Sequence, residues 1–171
     1  RSLTYSAGLT TSNSFDVNYI VQAGDEASDL NVQSISLTAG KLVDAHGNNT
    51  DFSSLPASNL ASDHDFVVDA IGPSISKITS ASANGYYGVG DDVNIQIIFS
   101  ENVSMDSGTL DVTLETSSGA DRVIQVSSGD ISNTDTVVVS YTVLAGESNS
   151  DLSINSITEN GGTLEDQVGT G

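Results

Sequence analysis

The sequence predicts an all-β protein, an antiparallel sandwich repeated along the chain. Three observations carry this expectation. Charged residues are only 16% of the 171 residues, so the polar surface must be built from Ser, Thr, Asn and Gln, which suit exposed strand faces and turns better than helices. Short runs alternate apolar and polar residues with period two, as half-buried strands do. The chain also resembles itself at a fixed offset. With hydrophobic residues at 37% and 16 glycines, the composition is that of a chain able to bury a core.

The alternation places the strands in order. A first strand, A, runs from Ser74 to Ser80, and B from Val93 to Ser100, with Val93, Ile95, Ile97 and Phe99 facing inward. Strand C covers Thr109 to Thr116 and directs Leu110, Val112 and Leu114 to the core; D covers Arg122 to Ser127. Strand E runs from Val137 to Leu144, burying Val137, Val139, Tyr141 and Val143, and F lies within Leu152 to Leu164. A final strand, G, is expected at Asp65 to Asp69, and only Ser58 to His64 has the make-up of a helical turn or two. Seven short strands at this spacing describe an antiparallel sandwich.

Self-similarity sets the domain organisation. Tyr19 to Gly47 aligns without a gap on Tyr141 to Gly169 at an offset of 122, with 13 identities in 29 positions, and RSLTYSAG at Arg1 matches RVIQVSSG at Arg122 at an offset of 121. A period near 120 residues exceeds that of solenoid repeats, so each unit reads as a whole domain in a tandem array. The seam falls where DFVVDA meets Ile71, Gly72 and Pro73. Residues 1–70 are then the later part of one unit, strands D to G, and residues 71–171 the earlier part of the next, strands A to F. Such offset boundaries fit an excerpt of a longer array, or a subunit whose missing strands come from a neighbour.

Charge and residue content exclude several functions. Four basic side chains stand against 23 acidic ones, for a formal net charge of −19, and Arg1, Lys41, Lys77 and Arg122 are scattered. Nucleic acid, which needs clustered Lys and Arg, is therefore not an expected partner. There is no cysteine, which removes disulfides, thiolate metal sites and cysteine nucleophiles. No run approaches 18 apolar residues, and the first residues lack the basic, apolar, small-residue order of a signal peptide, so this stretch is expected to be soluble. Mutual repulsion among so many carboxylates is relieved by saline surroundings or bound divalent cations.

On these residues the sequence resembles a known family. GYYGVGDDVNIQIIFSENV at Gly85 to Val103, YTVLAGESNSDL, GGTLEDQVG and DFVVDAIGPSIS are similar to the bacterial immunoglobulin-like, or cadherin-like, tandem repeats of giant secreted and cell-surface adhesins. The resemblance covers nearly all the chain and implies an immunoglobulin-like β-sandwich extender module, located outside the cell and often calcium-dependent. Any surface glycan or protein target would belong to other domains. One departure stands out: the second copy has Asp166, Gly169 and Thr170 where the first has Asp44, Gly47 and Asn48.

The strand order predicts where the acids gather. Glu101 and Asn102 in the B–C loop and Asp166 in the F–G loop return to the seam beside Asp69. Asp25, Glu26 and Asp29 approach that junction from the other unit. At the far pole Asp91 and Asp92 meet Glu147 and Asp151. Calcium accepts six to eight oxygens from such residues, so the candidate ligands are Asp29, Asp69, Asp91, Asp92, Glu101, Asp151 and Asp166. No EF-hand loop is present.

Other constellations point away from catalysis. Asp63, His64 and Asp65 read as a polar loop, since zinc would want a second histidine nearby. Serine, histidine and aspartate occur without a G-x-S-x-G elbow, and the glycines of GYYGVGDD precede a strand and carry acids, which repel phosphate. The expected function is structural, a calcium-stiffened extender contacting neighbouring repeats of the same chain. The alternatives are a filament or sheath subunit exchanging strands with identical neighbours, or a carbohydrate-binding module using Tyr86 and Tyr87.

Overall fold

The computed structural model describes residues 1–6, 12–117 and 121–168, and the chain divides into two units, Arg1–Ile71 and Gly72–Gly171. The division lies one residue past the seam read from sequence. The fold is nearly all β, with antiparallel sheets.

Unit 1 contains little regular structure. Strand β1 (Glu26–Ala27) pairs antiparallel with β2 (Val68–Asp69), in the register Glu26 opposite Asp69 and Ala27 opposite Val68. The strand expected at Asp65 to Asp69 is thus confined to its last two residues. Between β1 and β2 lies a single helical turn, α1 (Leu60–Asp63), inside the expected Ser58–His64. Asn59 caps it: its Oδ1 accepts from the Leu60 N–H at 2.7 Å, and Ser62 Oγ accepts from the Asn59 N–H at 2.7 Å, a reciprocal box that satisfies donors a helix start otherwise leaves open. Val68 is the one buried apolar residue among those described in this unit.

Unit 2 is built from two antiparallel sheets. The first orders β3 (Ile75–Ser80), β4 (Asp92–Met105) and β7 (Thr134–Thr142), with β9 (Leu164–Glu165) on the far end of β4. The second orders β6 (Arg122–Ser127), β5 (Thr109–Glu115) and β8 (Ser153–Asn160). Alternation decides what faces inward. Ile95, Ile97 and Phe99 of β4 and Val137, Val139 and Tyr141 of β7 meet Leu110, Val112 and Leu114 of β5 in one core, and Val93 and Val143 are packed at its edge. The two inner faces thus share a single apolar layer, which is what makes the pair a sandwich.

Two features depart from the strand reading. Strand β4 continues through Glu101 and Asn102, which were expected in a loop. Its pairing to β7 shifts between Ile98, opposite Thr136, and Val103, opposite Thr134, after which Ser104 and Met105 pair with Glu165 and Leu164 of β9. This irregularity lets β4 change partner while keeping Phe99, Val103 and Met105 on the inner face. Ile131, which follows a 3₁₀ turn at Ser128–Asp130, is fully buried although no alternating run contains it. Where β5 begins and β8 ends, Gly108 and Gly162 lie against opposing backbone. A Cβ on Gly162 would stand 1.9 Å from the Ser107 carbonyl oxygen, and one on Gly108 2.1 Å from that of Asn160.

The contrast between the units has a backbone cause. In unit 2 every one of β6, β7, β8 and β9 hydrogen-bonds to β4 or β5. The sequence correspondence gives residues 1–47 counterparts of those four strands, and residues 1–71 contain no counterpart of β4 or β5. Segments that pair only through absent central strands have no ladder to join.

Candidate functional site

The same polar corner is built in both units, from residues that correspond in the repeat. In unit 2 the Tyr141 hydroxyl donates to Glu147 Oε2 at 2.8 Å, and the Leu144 N–H donates to the same oxygen at 2.7 Å. Arg122 Nη1 reaches Glu147 Oε1 at 3.3 Å and the Thr142 carbonyl at 3.0 Å, with its guanidinium 5.6 Å from the centre of the Tyr141 ring. In unit 1 the Tyr19 hydroxyl donates to Asp25 Oδ2 at 2.7 Å, the Gln22 N–H donates to that oxygen at 3.0 Å, and Arg1 Nε pairs with Asp25 Oδ1. The turn beneath matches as well: Glu147 donates its N–H to the Leu144 carbonyl, and Asp25 to that of Gln22, with Gly146 and Gly24 preceding at φ 92° and 81°.

Electrostatics at the two corners run in parallel. Burial, reinforced by the bond to Glu147, pushes the Tyr141 hydroxyl up to about 12. Burial pushes the Glu147 carboxyl up as well, but the Leu144 N–H, the Tyr141 hydroxyl and Arg122 together outweigh it and hold it below its usual range. In unit 1 the Tyr19 hydroxyl, helped by the Gln22 N–H and Arg1, lowers Asp25 to about 2, and the bond to Asp25 raises Tyr19.

A second correspondence concerns Asp44 and Asp166. Asp44 Oδ1 accepts from the His46 N–H at 2.8 Å, and Asp166 Oδ1 accepts from the Val168 N–H at 2.9 Å, the same turn 122 residues on. In unit 1 Asn48 adds its backbone N–H and its side-chain amide, and these contacts lower the Asp44 carboxyl. Gly169 and Thr170 lie outside the described residues.

The expected metal ligands occupy different surroundings. Glu101 and Asp166, both in unit 2, offer carboxylate oxygens within 4.8 Å of each other, and Asp166 is buried. That proximity arises because β4 extends through Glu101 and pairs with β9, which Asp166 follows directly. Asp91 is exposed and accepts from the Gly88 N–H at 2.7 Å; Asp92, also exposed, accepts from the Thr142 hydroxyl at 2.5 Å. Asp29 and Asp151 are exposed, and Asp69 lies in β2 with its Oδ1 accepting from the Ile71 N–H at 3.2 Å. Asp25 and Glu147, expected among the pole acids, are held instead by an arginine and a tyrosine. That partnership was foreshadowed by matching acids placed just after Ala-Gly in both copies.

The remaining candidates have local partners. The His64 ring stacks on Phe66 at 5.2 Å between centroids. Tyr87 donates its hydroxyl to the Ala83 carbonyl at 2.6 Å, and Tyr86 is fully exposed beside it. Among the described residues, no helix is long and apolar enough to cross a membrane. No protein-family model, curated protein or solved structure matches this chain.

Proposed function

We propose that the chain is a stretch of a tandem array of immunoglobulin-like sandwiches in which successive units act as extenders of a large extracellular surface protein. The observation that carries this reading is the tyrosine–carboxylate–arginine corner formed twice, at positions one sequence period apart. A module repeated with its internal polar staple preserved, carrying a large net negative charge, suits a spacer whose work is mechanical.

Calcium is part of the proposal. Glu101 and Asp166 form a hard-oxygen pair close enough that mutual repulsion favours a cation between them. Asp29, Asp69, Asp91, Asp92 and Asp151 are proposed as further, weaker ligands, each within its own unit. Bound calcium would neutralise the pair and stiffen unit 2 where β4 meets β9. At a hundredfold excess over Kd it would add about 2.7 kcal/mol of stability.

The test is calcium-dependent melting and small-angle scattering of the full chain, repeated on Asp166→Asn. The expected result is a higher Tm and a narrower distribution of dimensions with calcium, both lost with chelator and in the variant. Identical Tm and scattering with and without chelator would remove calcium from the account and leave the repeat architecture standing.

A further inference from the structure

We infer that the open apolar face of unit 1 is a docking site for a polypeptide segment with the β4–β5 pattern, drawn from outside these 171 residues. The inference rests on the repeat reading and makes no use of calcium. Corresponding positions differ sharply in exposure. Val126, Val137 and Val139 are 8%, 2% and 0% exposed in unit 2, and Tyr5, Phe15 and Val17 at the same places in unit 1 are 41%, 44% and 42% exposed. Tyr5 and Phe15 already face each other, with ring centroids 4.9 Å apart. Their counterparts lie on β6 and β7, which belong to opposite sheets of the sandwich.

What covers those positions in unit 2 identifies the missing partner. Val137 and Val139 lie on β7, whose ladder partner is β4, and Val126 lies on β6, whose partner is β5. The inner faces of β4 and β5 supply Ile95, Ile97, Leu110 and Val112 to the same core. The occupant of unit 1 must therefore bring two adjacent strands with apolar residues at alternate positions, one strand for each sheet. Such a pair would complete the backbone ladders and bury the face together. A second copy of this chain is a poor source. Each copy holds two sets of β6–β9-type segments and one β4–β5 pair, so lending that pair to a neighbour opens as much apolar surface as it closes.

The test appends a copy of residues 72–121 directly before Arg1 of the full chain. This reproduces the join that leads into Arg122, the counterpart of Arg1. Amide hydrogen exchange is read at Phe15–Tyr19, with Val137–Tyr141 as the internal reference for folding, and ANS fluorescence reports exposed apolar surface. The fusion should slow exchange at Phe15–Tyr19 at least about 100-fold and suppress the ANS signal of the original chain. A second fusion, whose added copy carries Ile97→Asp and Val112→Asp, should restore both. Unchanged exchange and ANS binding in the first fusion, with the reference amides still protected, would overturn the inference. So would an unfused chain that forms a dimer protecting Phe15–Tyr19, since the face would then belong to a second copy.

Discussion

Units 1 and 2 share a turn, an arginine, a tyrosine and an acid at matched positions, yet among the described residues the clustered apolar core lies in unit 2. The corner forms in both because its parts are close in sequence or held by direct polar contacts: the tyrosine lies six residues before its carboxylate. The core forms in one because strands β6 to β9 depend on β4 and β5 for hydrogen-bonding partners and for half of the inner surface. Local chemistry thus survives where the long-range pairing does not, and burial separates two otherwise parallel segments.

Matched substitutions sharpen that contrast. The largest effect is expected for Val139→Asp, which places a carboxylate without a partner in the middle of the core. It should cost more than about 4 kcal/mol and unfold unit 2, whereas Val17→Asp, at the exposed counterpart, should change urea unfolding by less than about 0.5 kcal/mol. Equal costs would mean that the two positions are equally buried.

Next comes Gly162→Ala. Its Cβ would meet the Ser107 carbonyl oxygen at 1.9 Å, and Gly40, the counterpart, has open space around it. The first should lower the stability of unit 2 by about 2–3 kcal/mol, because backbone must move. The second should cost about 1–2 kcal/mol, since an L-residue at φ 85° is strained whatever the space. Thermal melts of the two variants provide the check.

Tyr141→Phe should cost about 1–2 kcal/mol by taking a donor from a charged acceptor beside the core. Tyr19→Phe should cost less, because Tyr19 is only half-buried whereas Tyr141 is buried in the core. A double-mutant cycle with Glu147→Gln separates the bond from the ring.

Titration reads the same two corners. Asp25 and Glu147 have lowered pKa values in the folded chain, so their stabilisation is complete above the ordinary carboxylate range and is lost as pH falls. For Asp25 the loss runs from about 4 down to about 2. Tyr141 behaves oppositely: its stabilisation is complete below the ordinary tyrosine value of about 10 and is lost as pH rises toward about 12. Unfolding followed against pH should show an acid slope weakened by Glu147→Gln and an alkaline slope weakened by Tyr141→Phe.

Much of the sandwich was legible because period-two alternation is written into single strands. Ile95, Ile97, Phe99, Leu110, Val112, Leu114, Val137, Val139 and Tyr141 face the core as the pattern requires. The continuation of β4 through Glu101 was not legible. A polar stretch resembles a loop until its pairing with β9 is known, and that pairing is long-range. Ile131 escaped for the same reason, being buried by a turn with no period. At the corner, the duplication displayed the arginine, the tyrosine and the acid, but nothing in one dimension shows that Glu147 turns back to Tyr141 and Arg122. In unit 1 alternation misleads, since Phe15 and Val17 carry an inward pattern and yet stand exposed.

The most direct measurement is residue-resolved amide hydrogen exchange on the unmodified chain. Strong protection is expected at Val137, Val139 and Tyr141, together with rapid exchange at Phe15, Val17 and Tyr19, the same strand positions one period earlier. Equal protection of the two segments in the monomer would contradict it.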